Sequence, residues 1–399
     1  MNSVNGHYRT MESPGMKAAI VVGTYYSPGQ TFVNRHIDHL YGGAVCVIAD
    51  KLTAEAPADG RFLAVGDDAT ERNGLERALR PVARGLNHLR HGSSRMPWGA
   101  SRRAALDFLK HHQPDAILAE FGPQGVALAP IANAAGIPMF CYFRGSDASS
   151  RLRHDHVQRA YRKMMPRLAG VFAVSQFLLD NLAAVGVTHP NAHVIPSGVD
   201  VRRFVPGDKT PHSVLGIGRF VEKKSPLLTI RAFAEAAQGL PDAHLTMIGD
   251  GELLEPARAL VAELGLGDRI SLPGALPHEE VRAHLAKAEI YAQHSVTANN
   301  GNTEGLPTSI QEAMAAGCVI VSTQHAGIPE AVTQDETGYL VPEHDAEGYT
   351  RALRDALTLG SAPKSEMARK AREVAMARFD NAELLTRLEK EIASTLARR

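Results

Sequence analysis

The sequence predicts an α/β protein made of two doubly wound domains, each a parallel sheet covered by helices on both faces. Three observations carry this. Short apolar runs rich in Val, Ile and Leu alternate with helical stretches along the chain, as strands buried on both faces require. The chain has 399 residues, 44% of them hydrophobic, enough for two ordinary cores when domains usually hold roughly 100–200 residues. The alternation also breaks once, at "IPSGVDVRRFVPGDKTP" (195–211), where Pro, Gly and Asp crowd together as in an inter-domain linker.

In the first half the strands read "KAAIVVG" (17–23), "AVCVIAD" (44–50), "DAILAEFG" (115–122), "IPMFCYFRG" (137–145) and "AGVFAVS" (169–175). In the second they read "SVLGIGR" (213–219), "HLTMIGDG" (244–251), "RISLPG" (269–274), "IYAQHS" (290–295) and "CVIVST" (318–323). Helical stretches follow at 345–358, 364–378 and Ala382–Ala397, with no strand after the last. Doubly wound sheets bind ligands beyond the carboxyl ends of their strands, so a cleft between two such domains is the expected active site.

Charge and cysteine content narrow the function classes. The formal net charge is zero, yet residues 1–200 hold 21 Lys and Arg against 16 Asp and Glu, so the halves carry opposite signs. No base-reading motif or continuous basic surface accompanies this, so nucleic acid is not an expected partner. Cys46, Cys141 and Cys318 lie far apart in apolar runs and read as buried thiols of a cytoplasmic protein rather than metal ligands. The start "MNSVNGHYRTMESPG" has no apolar signal region and reads as loosely ordered, and no run approaches a membrane span. One stretch does suit a membrane surface. Residues 72–103 contain eight arginines and one glutamate, Glu76, interleaved with Leu75, Leu79, Leu86, Leu89 and Trp98. A basic amphipathic stretch of that kind either lies on anionic lipid or is a solvated face.

The chemistry concentrates in "NTEGLPTSIQEAMAAG" (302–317). Pro307 suits a first helical turn, and Gly317 suits the end of the helix. Glu304 then sits in the loop ahead of the helix and Glu312 on its second turn, flanking N–H groups that attract an anion. Such a site fits a ligand with phosphate in the middle and hydroxyl-rich groups at both ends, a nucleotide sugar; a capped helix with two surface glutamates is the plainer alternative. About a hundred residues earlier, "GRFVEKK" (218–224) places Arg219 at a strand end and Lys224 before the next helix. Two cations there would neutralise a diphosphate and stabilise the charge developing on its oxygen as it leaves.

Taken together, "IPSGVDVRRF", "GRFVEKK", "MIGDGEL", "LPGALPHEEV", "EGLPTSIQEAMAAG", "VSTQHAGIPEAV" and "GYLVP" resemble, in order and spacing, the retaining glycosyltransferases of family 4, the glycosyl transferases group 1. The resemblance is strongest over 193–345 and nearest to the exopolysaccharide and colanic-acid branch. It implies a GT-B fold: two facing Rossmann-like domains with an inter-domain cleft. The acceptor-side domain would be 16–200 with 379–399 crossing back onto it, and the donor domain 205–378. It implies that Arg219 and Lys224 bind the donor diphosphate, that Glu304 holds donor-sugar hydroxyls, and that Gly305, Leu306, Pro307 and Thr308 cradle phosphate and sugar through their amides. Glu312 would bind ribose, the Leu276 backbone the base, and Gly249 and Gly251 would turn near the nucleoside. No cofactor or metal is implied; the partners are a nucleotide-sugar donor and a saccharide or lipid-linked saccharide acceptor in bacterial surface polysaccharide synthesis.

The first domain departs from the family pattern twice. A Gly-Gly loop is common after strand one, whereas here Gly29 in "TYYSPGQTFVNRH" is the phosphate-side candidate. A His-Gly-x-Asp motif is expected after the strand at 137–143, and the chain has "RGSD", so Arg144 replaces a histidine that faces the C6 side of the donor sugar, with Asp147 completing the motif. A guanidinium there suits a uronic acid donor, unless Arg144 turns to Asp147 and an ordinary hexose is used. Other readings are a nucleotide-sugar 2-epimerase or hydrolase on the same plan, which needs a base beside C2 that the sequence does not single out. A dehydrogenase needs Gly-x-Gly-x-x-Gly, absent from "GTYYSPG" and "GIGRFVEKK".

Overall fold

The computed structural model describes residues 15–27, 29–52, 59–66, 74–94 and 96–399, without the side chains of Leu75 and Arg77; the start of the chain, Arg72 and Arg95 lie outside it. The chain forms two compact units, one running to Ile195 and including Ala382–Arg399, the other Pro196–Asn381.

In the first unit the order is β1 (Ala18–Thr24), α1 (Thr31–His39), β2 (Val45–Lys51), β3 (Phe62–Ala64), α2 (Gly74–His91), α3 (Gly99–His112), β4 (Ala116–Glu120), α4 (Gly122–Ala135), β5 (Met139–Phe143), α5 (Asp155–Met164), β6 (Gly170–Ala173), α6 (Gln176–Ala184) and β7 (Ala192–Val194). The strands lie in the order β3-β2-β1-β4-β5-β6-β7, and every pair is parallel. Every residue of β4 and β5 is buried, which is why these segments read as unbroken apolar runs. The exception is Glu120, a charged residue at the carboxyl end of β4.

The second unit runs β8 (Thr210–Ile217), α7 (Pro226–Ala236), β9 (His244–Ile248), α8 (Leu254–Glu263), β10 (Ile270–Gly274), α9 (His278–Lys287), β11 (Ala288–Ala292), α10 (Thr308–Ala315), β12 (Val319–Thr323), β13 (Gly338–Val341), α11 (Ala346–Thr358) and α12 (Ser361–Arg378). Its parallel sheet has the order β10-β9-β8-β11-β12-β13. Pro226 opens α7 and the Asp345 side chain caps α11 by accepting the Gly348 N–H at 2.8 Å. The last helix, α13 (Asn381–Ala397), packs Leu384, Leu385, Leu388 and Ile392 into the core of the first unit.

The stretch 195–211 is not the loose linker its composition implies. Val199, Val201 and Phe204 are buried in the core of the second unit, and the Val199 N–H donates to the Phe379 carbonyl at 2.8 Å. Three apolar side chains anchor an otherwise polar segment. Strands β3, β7 and β13 are absent from the sequence reading; each has three or four residues, and β3 and β7 carry no fully buried position to mark them. Cys46, Cys141 and Cys318 are buried, as read, and burial pushes each thiol up.

Candidate active site

In each unit the strand order reverses once, between β1 and β4 and between β8 and β11, and ligands of open α/β sheets settle beyond the carboxyl ends at such a point. In the second unit, Gly218 and Arg219 follow β8, and Gln293 follows β11. Arg219, Lys224 and Gln293 line one small pocket with Gly216, Gly218 and Met247. The turn carrying Arg219 depends on the next loop. Gly249 has φ of 145°, and a Cβ there would lie 1.9 Å from the Gly218 carbonyl oxygen; at Gly251, with φ of 151°, a Cβ would lie 2.5 Å from that of Phe220. Both glycines therefore let two loops touch.

Glu304 lies between two ammonium groups. Lys223 Nζ is 3.3 Å from one carboxylate oxygen and Lys224 Nζ 3.2 Å from the other, with side-chain exposures of 12%, 14% and 11% for the lysines and the glutamate. Burial alone would raise the Glu304 carboxyl, but the two lysines overcome it and hold the group at about 2. Burial pulls Lys224 below the usual ammonium range, opposed by Glu304. Lys224 also donates to Gln293 Oε1 at 2.9 Å, and the same oxygen accepts from Ser309 of α10 at 3.1 Å. The amide of Gln293 thus ties the lysine to the amino end of α10.

That end is built close to what the sequence implies, with Pro307 just ahead of the helix rather than inside its first turn. Pro307 is the cap residue, with φ of −59°, Thr308 is the first helical residue, and Gly317 follows the helix with φ of 69°. Pro307 has no N–H, so the amides there come from Gly305, Leu306 and Thr308, and the Leu306 side chain belongs to the core. Glu312 is half-buried, with His278 Nε2 3.8 Å from its carboxylate; the nearby Glu312 carboxylate raises the His278 pKa against burial. Leu276 is half-buried in the loop after β10.

The first unit corrects one expectation directly. Arg144 does not turn its guanidinium to Asp147; its partner is Glu120, with Nε and Nη2 at 2.9 and 2.8 Å from Oε2. The neighbouring strands explain this: Glu120 is in register with Tyr142, and the guanidinium two residues on lies 3.7 Å from the Tyr142 ring centroid. His36 Nδ1 is 2.6 Å from the other Glu120 oxygen. Burial would raise Glu120, yet Arg144 and His36 hold it below the usual carboxylate range; burial pulls His36 below its ordinary value. The Asp147 carboxylate accepts the N–H groups of Gly145, Gly122 and Arg144 at 2.8, 3.0 and 3.1 Å, holding the loop. A Cβ on Gly29 would meet nothing within 4 Å, so no close approach requires glycine there.

Lys223, Gln293, His278, Glu120 and His36 join these clusters without belonging to the residues that the motifs single out. Lys223 stood next to Lys224 in "EKK", and Gln293 was visible as a polar residue after a buried strand; the others had no local signal.

Residues 200–374 match the family described as glycosyl transferases group 1, and residues 44–203 match glycosyltransferase family 4. The chain belongs to this glycosyltransferase family, and its fold is of the GT-B type. It is 32% identical over 265 residues to the putative colanic acid biosynthesis glycosyltransferase WcaL of Escherichia coli, covering 65% of each chain. It is 32% identical over 222 residues to the amylovoran biosynthesis glycosyltransferase AmsK of Erwinia amylovora, covering 53% of each. The matches thus span between half and two thirds of these relatives. Among solved structures, Anabaena HepE in complex with UDP and glucose shares the fold at a TM-score of 0.75, with 17% identity over 95% of this chain and 100% of that one.

Proposed function

We propose that this chain transfers a sugar from a nucleoside-diphosphate donor to an acceptor hydroxyl in the synthesis of a bacterial exopolysaccharide or glycolipid, with retention of configuration. The observation that carries the reading is the Lys223–Glu304–Lys224 cluster beside Arg219 at the strand-order reversal, with the amino end of α10 tied to it through Gln293. Arg219 and Lys224 take the diphosphate. As the bond from sugar C1 to the phosphate oxygen breaks, they stabilise the charge left on that oxygen, which accepts the proton of the attacking hydroxyl. The lysines and arginine supply the positive charge at the phosphate, so the reaction runs without a divalent metal. Glu304 takes donor-sugar hydroxyls and Glu312 the ribose.

The Arg144–Glu120 pair bears on the donor. Were Arg144 to face the donor sugar, as the family resemblance implies, a carboxylated sugar would have to compete with Glu120 for a guanidinium already neutralised, which favours a neutral hexose over the uronic acid that Arg144 alone implied. The test is incubation with a panel of UDP- and GDP-sugars, with and without a lipid-linked saccharide, reading released nucleotide and the anomeric configuration of the product. Inverted product, or nucleotide release with no acceptor dependence, overturns the reading.

The acceptor side includes an anionic membrane surface. No helix among the described residues is long and apolar enough to cross a membrane. Helix α2, however, leaves Leu79, Val82, Leu86 and Leu89 between 46% and 73% exposed, four of the seven large apolar side chains exposed among the described residues. Their spacing of three and four puts them on one stripe, and Arg80, Arg84 and Arg90 lie on the same helix. That charge complements anionic lipid. Co-sedimentation with vesicles should rise with phosphatidylglycerol content and fall in Leu86→Ser/Leu89→Ser. Equal sedimentation with neutral vesicles, or a stripe-dependent dimer that does not sediment, refutes it.

A further inference from the structure

The loop that carries Glu304 is held by a buried imidazole whose protonation its neighbours define. His325 follows β12 and is 1% exposed. Its Nε2 accepts the Glu304 backbone N–H at 3.0 Å, so that nitrogen carries no hydrogen. The hydrogen is therefore on Nδ1, which donates to Glu343 Oε1 at 2.6 Å. Glu343, just after β13, accepts the Thr297 N–H through its other oxygen at 2.6 Å. On its far side the loop is tied to the Arg219–Lys224 segment: the Val296 N–H donates to the Lys223 carbonyl at 2.9 Å, and the Asn299 N–H to Glu222 at 3.0 Å.

We infer that His325, oriented by Glu343, is a positioning residue: as the neutral imidazole with hydrogen on Nδ1 it holds the Glu304 backbone where the carboxylate meets both lysines, and its protonation releases that hold. A protonated ring would point an N–H at the Glu304 N–H, with no acceptor between them. The charged and titratable groups around the ring pull both ways. Glu343 and Glu304 favour the cation, while Lys223 opposes it and His294 lies close enough to interact. Burial is the strongest influence and keeps the ring below its ordinary value, so it is neutral at pH 7.

The inference rests on Glu304 acting in the donor site, so the experiment separates the two. Steady-state kcat and donor KM are measured from pH 5 to 8 for wild type, Glu304→Gln, His325→Leu, His325→Gln, Glu343→Gln and the Glu304→Gln/His325→Leu double variant. Near-wild-type turnover in Glu304→Gln removes the site reading itself. If that variant is impaired, His325→Leu should lose roughly 10- to 100-fold in kcat, and less than about threefold more in the Glu304→Gln background, since coupled residues are not additive. His325→Gln, which keeps an acceptor near the Nε2 position, should recover most of the loss and lack the acid limb of the kcat profile. Glu343→Gln removes a charge that favours the imidazolium, so its acid limb should move to lower pH. Should His325→Leu not fold, the last two variants carry the test. Additive losses in the double variant, or an acid limb in the same place in wild type, His325→Gln and Glu343→Gln, overturn the inference.

Discussion

Replacing Glu304 by Gln removes the negative charge between Lys223 and Lys224 while keeping nearly the same volume. From the sequence alone, Glu304→Ala reads as a change to activity with little loss of folding; burial of the carboxylate between two lysines alters that expectation for any neutral replacement. Holding the carboxyl at about 2 rather than 4.5 corresponds to a folded-state stabilisation on the order of 3 kcal/mol at neutral pH, at about 1.4 kcal/mol per tenfold change in proton affinity. The sign follows from the direction of the shift. A carboxylate lowered on folding contributes fully above its unfolded value of 4.5, and the contribution is lost as pH falls towards 2. Glu304→Gln should therefore lose on the order of 3 kcal/mol at pH 7, the two lysines being left close together and mostly buried, and the gap from wild type should shrink below pH 4.5. Urea unfolding followed by far-ultraviolet circular dichroism at pH 7 and pH 3.5 reads the stability, and released nucleoside diphosphate reads turnover, which should fall about 10²-fold. A stability gap that is the same at both pH values, or near-wild-type turnover, would refute the reasoning.

Lys224→Ala should cost about 10²-fold in kcat by removing a transition-state cation and the donor to Gln293; a change confined to KM would argue that it binds ground state and transition state alike. Gly249→Ala should destabilise the second unit by roughly 2–4 kcal/mol, because its Cβ would overlap the Gly218 carbonyl and its φ is unfavourable for alanine; urea midpoints check it, and an unchanged midpoint contradicts the packing described. Wild type should prefer UDP-glucose to UDP-glucuronate, and Glu120→Gln should narrow that preference by freeing the guanidinium; competition assays with both donors decide, and a wild-type preference for the glucuronate counts against it. Turnover should survive chelation by EDTA, and loss restored by Mg²⁺ or Mn²⁺ would show that the lysines and arginine do not suffice.

Much of this protein is determined locally. A buried parallel strand must be apolar on both faces, so "KAAIVVG" and "CVIVST" announce β1 and β12 without reference to anything distant. Proline and glycine restrict their own backbone, so Pro307 and Gly317 bound α10, and Glu304 and Glu312 are placed about it by chain connectivity alone. What the sequence could not determine is which charge meets which. Arg144 lies three residues from Asp147 and 24 from Glu120, yet it pairs with Glu120 because parallel pairing puts the ends of β4 and β5 side by side while backbone N–H groups occupy Asp147. Val199, Val201 and Phe204 turn an apparent linker into core for a similar reason: a surface to bury them exists only once the second unit has folded. Lys223, Gln293, His325 and Glu343 come from four separate loops, and only the order β8-β11-β12-β13 of the sheet brings those loops together around Glu304. Hydrogen bonds and ion pairs act over about 3 Å, whereas the spacing of residues along a chain records only local geometry, so the membership of this cluster is a property of the tertiary structure.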